Sequence, residues 1–193
     1  MNLPNRLTVL RIILVPFFVF FLLTGSSTLF RILALVLFCA ASLTDLLDGK
    51  IARSRGLVTT FGKLMDPLAD KILVMSAMVC FVRLGYAPAA VVIIILGREF
   101  LVTSLRLIAA GEGKVIAADR WGKIKTVTQM GWIIVTLLWI AAEPFLSVQG
   151  LSLEITAAFY LLMQLLMAAS LFFTLLSGFN YCYQNRALFL HDM

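Results

Sequence analysis

Residues 155–176 read ITAAFYLLMQLLMAASLFFTLL, twenty-two consecutive positions with no Asp, Glu, Lys or Arg. A helix rises 1.5 Å per residue, so this stretch extends about 33 Å, slightly more than the ~30 Å hydrocarbon core of a bilayer. Five further apolar runs lie upstream, at 7–23, 32–44, 72–84, 87–110 and 124–142. The second and third are short as purely apolar segments, and each abuts a group of aspartates. Their helices are expected to continue through those aspartates, because backbone at membrane depth must satisfy its own hydrogen bonds. Turn residues mark the breaks: Thr24-Gly25-Ser26-Ser27, Gly85-Tyr86-Ala87-Pro88, Gly111-Glu112-Gly113 and Glu143-Pro144. The expected architecture is all-α: a polytopic integral membrane protein with about six transmembrane helices, forming one membrane-embedded domain over residues 1–193.

Composition agrees. Of the 193 residues 62% are hydrophobic and only 13% charged, and the mean hydropathy is +1.02. A soluble domain would carry about a quarter charged residues, so disorder, a coiled coil and an ordinary water-soluble domain are all excluded. The net charge of +6 points to anionic lipid headgroups as the partner surface, not to nucleic acid. If the N-terminus is cytoplasmic, the outer connections hold only Arg31 and Arg83, and the other 14 of the 16 basic residues fall on the opposite side. The positive-inside rule therefore predicts that both termini face the cytoplasm of a cell-membrane protein. Arg6 and Arg11, preceding and entering the first run, also fit a signal peptide, but no small-x-small cleavage site follows convincingly, and a retained helix is expected. Pro4 ahead of it predicts that residues 1–6 lie along the interface. Cys39, Cys80 and Cys182 show no metal-ligand spacing and read as core thiols. His191, near the C-terminus, leaves little scope for histidine chemistry.

Four of the ten acidic residues lie within twenty-six positions: Asp45, Asp48, Asp66 and Asp70. Carboxylates at membrane depth are expensive and call for a functional reason. The first two are i and i+3 and the second two i and i+4, so on helices each pair shares one face. Four such charges repel unless cations lie between them. Hard oxygen ligands near water suit Mg²⁺ or Mn²⁺, and two divalent ions would balance the four charges and clamp a diphosphate. Gly49 and Ala52 continue the face of Asp45 and Asp48, and Gly62 stands one turn before Asp66, leaving room for a ligand. Arg53 offers a forked donor set to a phosphate. The plainer alternative is a solvated loop in which these acids pair with Lys50, Arg53, Arg55, Lys63 and Lys71.

In order, the segment is Asp45-x2-Asp48-Gly49-x2-Ala52-Arg53-x8-Gly62-x3-Asp66-x3-Asp70, eight fixed identities over twenty-six positions. It resembles, without departure, the defining pattern of the CDP-alcohol phosphatidyltransferases, and the six-span layout extends the resemblance to the whole chain. The resemblance implies transfer of a phosphatidyl group from a CDP-linked lipid, CDP-diacylglycerol, to an alcohol with release of CMP. It implies Asp45, Asp48 and Asp66 as metal ligands, Asp70 as general base that also touches a metal, and Gly49, Ala52, Arg53 and Gly62 bordering the CDP group. It further implies a homodimer.

Three softer elements are similar to the branch of that family whose acceptor is glycerol 3-phosphate. They are Asn2-Leu3-Pro4-Asn5-Arg6-Leu7-Thr8 with Arg11, Gly97-Arg98-Glu99-Phe100 with Ser104-Leu105-Arg106, and Gly122-Lys123-Ile124-Lys125-Thr126 with Gln129. Asn5 and Thr8 are assigned to the CDP-lipid site on this basis, against a plainer role as helix-start residues. An acceptor phosphate needs cations of its own, and Arg98, Arg106, Lys123 and Lys125 are the candidates. Arg98 interrupts an apolar stretch, where an arginine is rarely idle. Its plainer role is a pair with Glu99 or an aspartate; that of Lys123 and Lys125 is positive-inside anchoring, and that of Arg11 is snorkelling. Competing functions are a sibling enzyme using serine, inositol phosphate or phosphatidylglycerol, a divalent-cation transporter, and an intramembrane aspartic protease. A transporter would place acids in several distant spans, and a protease would need a dyad. In the tail, Phe179, Tyr181, Tyr183 and Phe189 read as an interfacial anchor.

Overall fold

In the computed structural model, residues 3–25, 27–55, 60–111, 119–148 and 153–186 are described, with side-chain surroundings for all of these but 3–6, 45–55, 60–67, 70 and 146–148. Six helices follow one another: α1 (Leu3–Leu23), α2 (Thr28–Arg55), α3 (Thr60–Arg83), α4 (Ala89–Gly111), α5 (Arg120–Val148) and α6 (Leu153–Gln184). No strand occurs among the described residues, as the hydropathy pattern requires. Arg120–Phe145 and Leu153–Gln184 are long and apolar enough to cross a bilayer, while α1 and α2 carry shorter apolar stretches, Leu7–Leu23 and Thr28–Thr44. As expected, α2 and α3 run on through their aspartates without interruption.

The chain divides into two compact units. In the first, α1 packs on α2 and α3, which also touch each other. The buried face of α1 is Thr8, Arg11, Val15, Phe18 and Leu22, a strict i, i+3, i+4 stripe. Against it α2 sets Ala34, Phe38 and Ala41, all fully buried, and α3 contributes Ala69, Leu73 and Ala77. The alanines let the backbones approach closely, which is how helices associate where no water is present to drive them together. Phe18 meets Phe38 with ring centroids 5.7 Å apart, and Phe21 meets Phe30 at 5.3 Å near the turn. The α1–α2 pair is therefore antiparallel.

Two helix ends show how the boundaries are made. At the end of α3, Gly85 adopts φ +80°. The Tyr86 N–H reaches the Phe81 carbonyl at 2.9 Å and the Gly85 N–H reaches Val82 at 3.2 Å, a Schellman cap that needs a residue without a Cβ. The expected break at Glu143-Pro144 does not occur: α5 continues to Val148 with Pro144 inside it. Proline cannot donate to the carbonyl four residues back, Ile140. Arg31 supplies the missing donor, its Nη1 lying 3.2 Å from the Ile140 oxygen and 3.0 Å from Glu143 Oε2, while its Nε holds Gly25 O at 3.1 Å.

In the second unit, α4 presents Val92, Ile95, Val102, Leu105 and Ala109 as its buried stripe, and α6 faces it with Ser170, Thr174, Ser177 and Tyr181. Small hydroxyl residues on α6 again shorten the approach. Trp121 at the start of α5 stacks on Phe173, with ring centroids 6.1 Å apart. Asp119, just before α5, accepts a 2.8 Å hydrogen bond from Asn180 and ties that start to α6. Cys80 is buried and Cys39 and Cys182 are half-buried, all free thiols, as the core reading requires.

Candidate active site

The aspartate motif belongs to the first unit. Asp45, Asp48, Gly49, Ala52 and Arg53 lie on the C-terminal part of α2, and Gly62, Asp66 and Asp70 on the N-terminal part of α3. Their surroundings, and those of Asn5 on α1, lie outside the described side chains. The backbone alone fixes the spacing: i, i+3 on one helix and i, i+4 on the next place each pair on a single face. Ala69, immediately before Asp70, is fully buried, and so is Ala41, one turn before Asp45. The backbone of α2 at Ala41 and of α3 at Ala69 thus belongs to the packed seam of the unit. Four carboxylates in this register are a donor set of hard oxygens, which fits a divalent cation of the Mg²⁺ class.

Thr8 and Arg11 stand apart from their plainer readings. Each is 1% exposed, so Thr8 is not simply a helix-start residue and Arg11 does not snorkel to a surface. The Phe18–Phe38 contact gives their level. Arg11 lies seven residues before Phe18 and Asp45 seven after Phe38, so in an antiparallel pair their backbones are level to within a turn. The buried guanidinium therefore sits on α1 at the height where the first aspartate enters on α2. The signal was present in the sequence: residues 8, 11, 15, 18 and 22 share one stripe, and a charge on such a stripe is enclosed.

The basic residues of the second unit separate into groups. Arg98 and Lys125 come together through Glu99, whose Oε1 accepts from Arg98 Nη1 at 3.0 Å and from Lys125 Nζ at 2.5 Å. These side chains are only 13%, 15% and 5% exposed, respectively for Arg98, Glu99 and Lys125. Lys125 is accordingly not a surface anchor. The pairing of Arg98 with Glu99 expected as its plainer role is present, yet it also recruits a second cation, which that role alone did not foresee. Arg106, two turns along α4, is outside this group. Its Nε donates to Tyr181 Oη at 3.3 Å and its guanidinium lies 5.6 Å from that ring's centroid. Lys123 is exposed on the first turn of α5.

Two residues of this region were misread or passed over in the sequence. Tyr181 is 2% exposed and packs with Val102 and Leu105, so it belongs to the core, while Phe179 and Tyr183 are exposed as an interfacial anchor would be. Tyr181 continues the stripe Ser170, Thr174, Ser177, which an i, i+3, i+4 count would have caught. Phe189 and His191 lie outside the described residues. Glu99 was noticed only as a partner for its neighbour. Its place on the α4 stripe between Ile95 and Val102 marks it as enclosed and therefore paired.

Carboxylates at helical spacing beside small residues in one unit, and two cations from α4 and α5 gathered on one carboxylate in the other, are groups suited to handling phosphates. The chain belongs to the CDP-alcohol phosphatidyltransferase family, whose sequence model matches residues 1–176. It is 40% identical to the CDP-diacylglycerol–glycerol-3-phosphate 3-phosphatidyltransferase of Bacillus subtilis, over 95% of both chains. It is 36% identical to a probable phosphatidylglycerophosphate synthase of Mycobacterium tuberculosis, covering 93% of this chain and 79% of that one. A 3-phosphatidyltransferase of the same name from Treponema pallidum is 37% identical over 75% of this chain and 72% of its own.

Proposed function

We propose that this chain transfers the phosphatidyl group of CDP-diacylglycerol to glycerol 3-phosphate, giving phosphatidylglycerophosphate and CMP. The observation that carries the reading is the end-to-end similarity to the Bacillus subtilis enzyme of that name, 40% identity over 95% of each chain. The helical register of the four aspartates supports it independently. Residues 1–193 then act as one catalytic domain in the cell membrane, with six spans, both termini and the active site on the cytoplasmic side, and a homodimeric assembly.

In this mechanism Asp45, Asp48, Asp66 and Asp70 hold the divalent metal, two ions of Mg²⁺ or Mn²⁺. When bound, such ions neutralise charge growing on the diphosphate and its departing CMP. Asn5, Thr8, Gly49, Ala52, Arg53 and Gly62 border the CDP-lipid, the small residues leaving space and Arg53 donating to phosphate. Arg98, Arg106, Lys123 and Lys125 hold the acceptor's phosphate. Asp70 takes the proton from the acceptor hydroxyl as its oxygen attacks the phosphorus bearing the diacylglycerol; the bond to CMP breaks in the same displacement. The acyl chains stay in the leaflet while the polar head reaches the helix ends.

The test is CMP release by purified protein supplied with CDP-diacylglycerol, Mg²⁺ or Mn²⁺ and one acceptor at a time. Release with glycerol 3-phosphate alone is the expected result. Release with serine, inositol phosphate or phosphatidylglycerol instead would make the chain a sibling enzyme, and no release from folded protein would favour a transporter. A general base contributes about 10²–10⁴-fold, so Asp70→Asn should lose roughly that factor in kcat while donor binding survives. Asp48→Ala should lose metal-dependent donor binding as well; near-normal turnover in that variant would refute the metal assignment.

A further inference from the structure

The carboxylate of Glu99 takes both Arg98 Nη1 and Lys125 Nζ on one oxygen, at 3.0 and 2.5 Å. We propose that Glu99 is a positioning residue: it locks Arg98 and Lys125 into one fixed phosphate-binding pair, for which Gly122 and Gly178 leave the space. This rests on the reading of those two cations as the acceptor-phosphate site.

Three observations support it. First, an ammonium as enclosed as that of Lys125 needs a counter-charge, and two neighbouring cations repel unless a carboxylate lies between them. Glu99 meets both needs. Second, the guanidinium is not used up. Arg98 Nε is enclosed and has no hydrogen-bond partner among the described residues, so donor capacity remains beyond the pair with Glu99. Third, α6 comes close to this side chain at a glycine. A Cβ on Gly178 of α6 would stand 3.1 Å from Arg98 Cγ, and one on Gly122 of α5 would stand 3.7 Å from Arg98 Nη2. The first distance is tighter than ordinary van der Waals contact, so a side chain at 178 makes the arginine give by a few tenths of an ångström, whereas the second is an ordinary contact. Arginine and lysine side chains carry high rotamer entropy, and a pair already held in place binds a phosphate without first being ordered.

The experiment is steady-state kinetics on the full chain with CDP-diacylglycerol and glycerol 3-phosphate, varying each in turn. Glu99→Gln should raise the KM for glycerol 3-phosphate by about tenfold to a hundredfold, the loss of one or two charge-assisted hydrogen bonds, with the KM for CDP-diacylglycerol unchanged. Glu99→Asp should recover part of it, which a merely structural role would not produce selectively in one KM. Gly178→Ala leaves Glu99 in place and should raise the same KM severalfold; it alone decides if Glu99→Gln does not fold. The proposal is overturned if Glu99→Gln and Gly178→Ala leave the acceptor KM in place while Arg98→Gln raises it. If Arg98→Gln and Lys125→Gln leave it in place too, the acceptor reading itself fails, and this proposal with it.

Discussion

Arg11 and Lys125 show what a single charge contributes when it is enclosed. Spacing alone reads both as ordinary membrane-edge residues, and at the level of composition they are indistinguishable from exposed Lys123. What separates them is the stripe each occupies: Arg11 lines up with Val15 and Phe18, and Lys125 with Gln129 one turn on, all buried. A buried guanidinium is held by its partners, and Arg11 is so engaged. Replacing it removes that interaction as well as volume from an enclosed stripe. We expect Arg11→Met to cost about 3 kcal/mol, the scale of a lost buried interaction of a charged group. Unfolding of a chain this size should then shift downward by roughly 6–12 °C in a detergent melt. A snorkelling anchor would cost within about 0.5 kcal/mol, and a melt unchanged by Arg11→Met would restore that reading.

At the scale of elements, the six helices and the passage of α2 and α3 through their aspartates were legible from hydropathy and the backbone's need for hydrogen bonds. The end of α5 was not. Glu143-Pro144 reads as a stop because proline removes a donor, and sequence carries no sign that an arginine 113 positions earlier replaces it. Long-range compensation of this kind is invisible to any local rule. The same limit applied to the candidate site: the aspartate pattern is contiguous and could be read, whereas the meeting of Glu99 with Lys125 joins two helices. The Arg31 arrangement gives a coupled prediction. Arg31→Ala should destabilise by about 2 kcal/mol through lost charge-assisted hydrogen bonds. In a Pro144→Ala background α5 regains its own donor for Ile140, so the same substitution should cost about 1 kcal/mol less. Additive losses across this double-mutant cycle would mean that Arg31 works through Glu143 and Gly25 and not through Ile140.

For the molecule as a whole, hydropathy gives two answers that differ in a measurable way. Among the described residues, only α5 and α6 reach the length and apolarity of a complete span by themselves. Three of the others are interrupted by charges: α2 and α3 carry the aspartates, and α4 carries Arg98, Glu99 and Arg106. Charges needed for chemistry lower a helix's mean hydropathy without preventing it from crossing, provided they face protein or a water-filled site. Arg98 and Glu99 meet that condition through their mutual pair and Lys125. Six crossings are therefore compatible with these charges, and two follow from hydropathy alone. Reporter fusions decide between them. With six spans, alkaline phosphatase joined after Gly85 should be active, because the α3–α4 turn lies outside, and the same enzyme joined after Gln184 should be inactive while a green fluorescent protein there shines. With α5 and α6 as the only spans, residue 85 stays on the side of the N-terminus, and the fusion at Gly85 should be as inactive as the one at the tail. The positive-inside count favours the first outcome, since Arg31 and Arg83 are the only basic residues that six spans would leave outside, against 14 within.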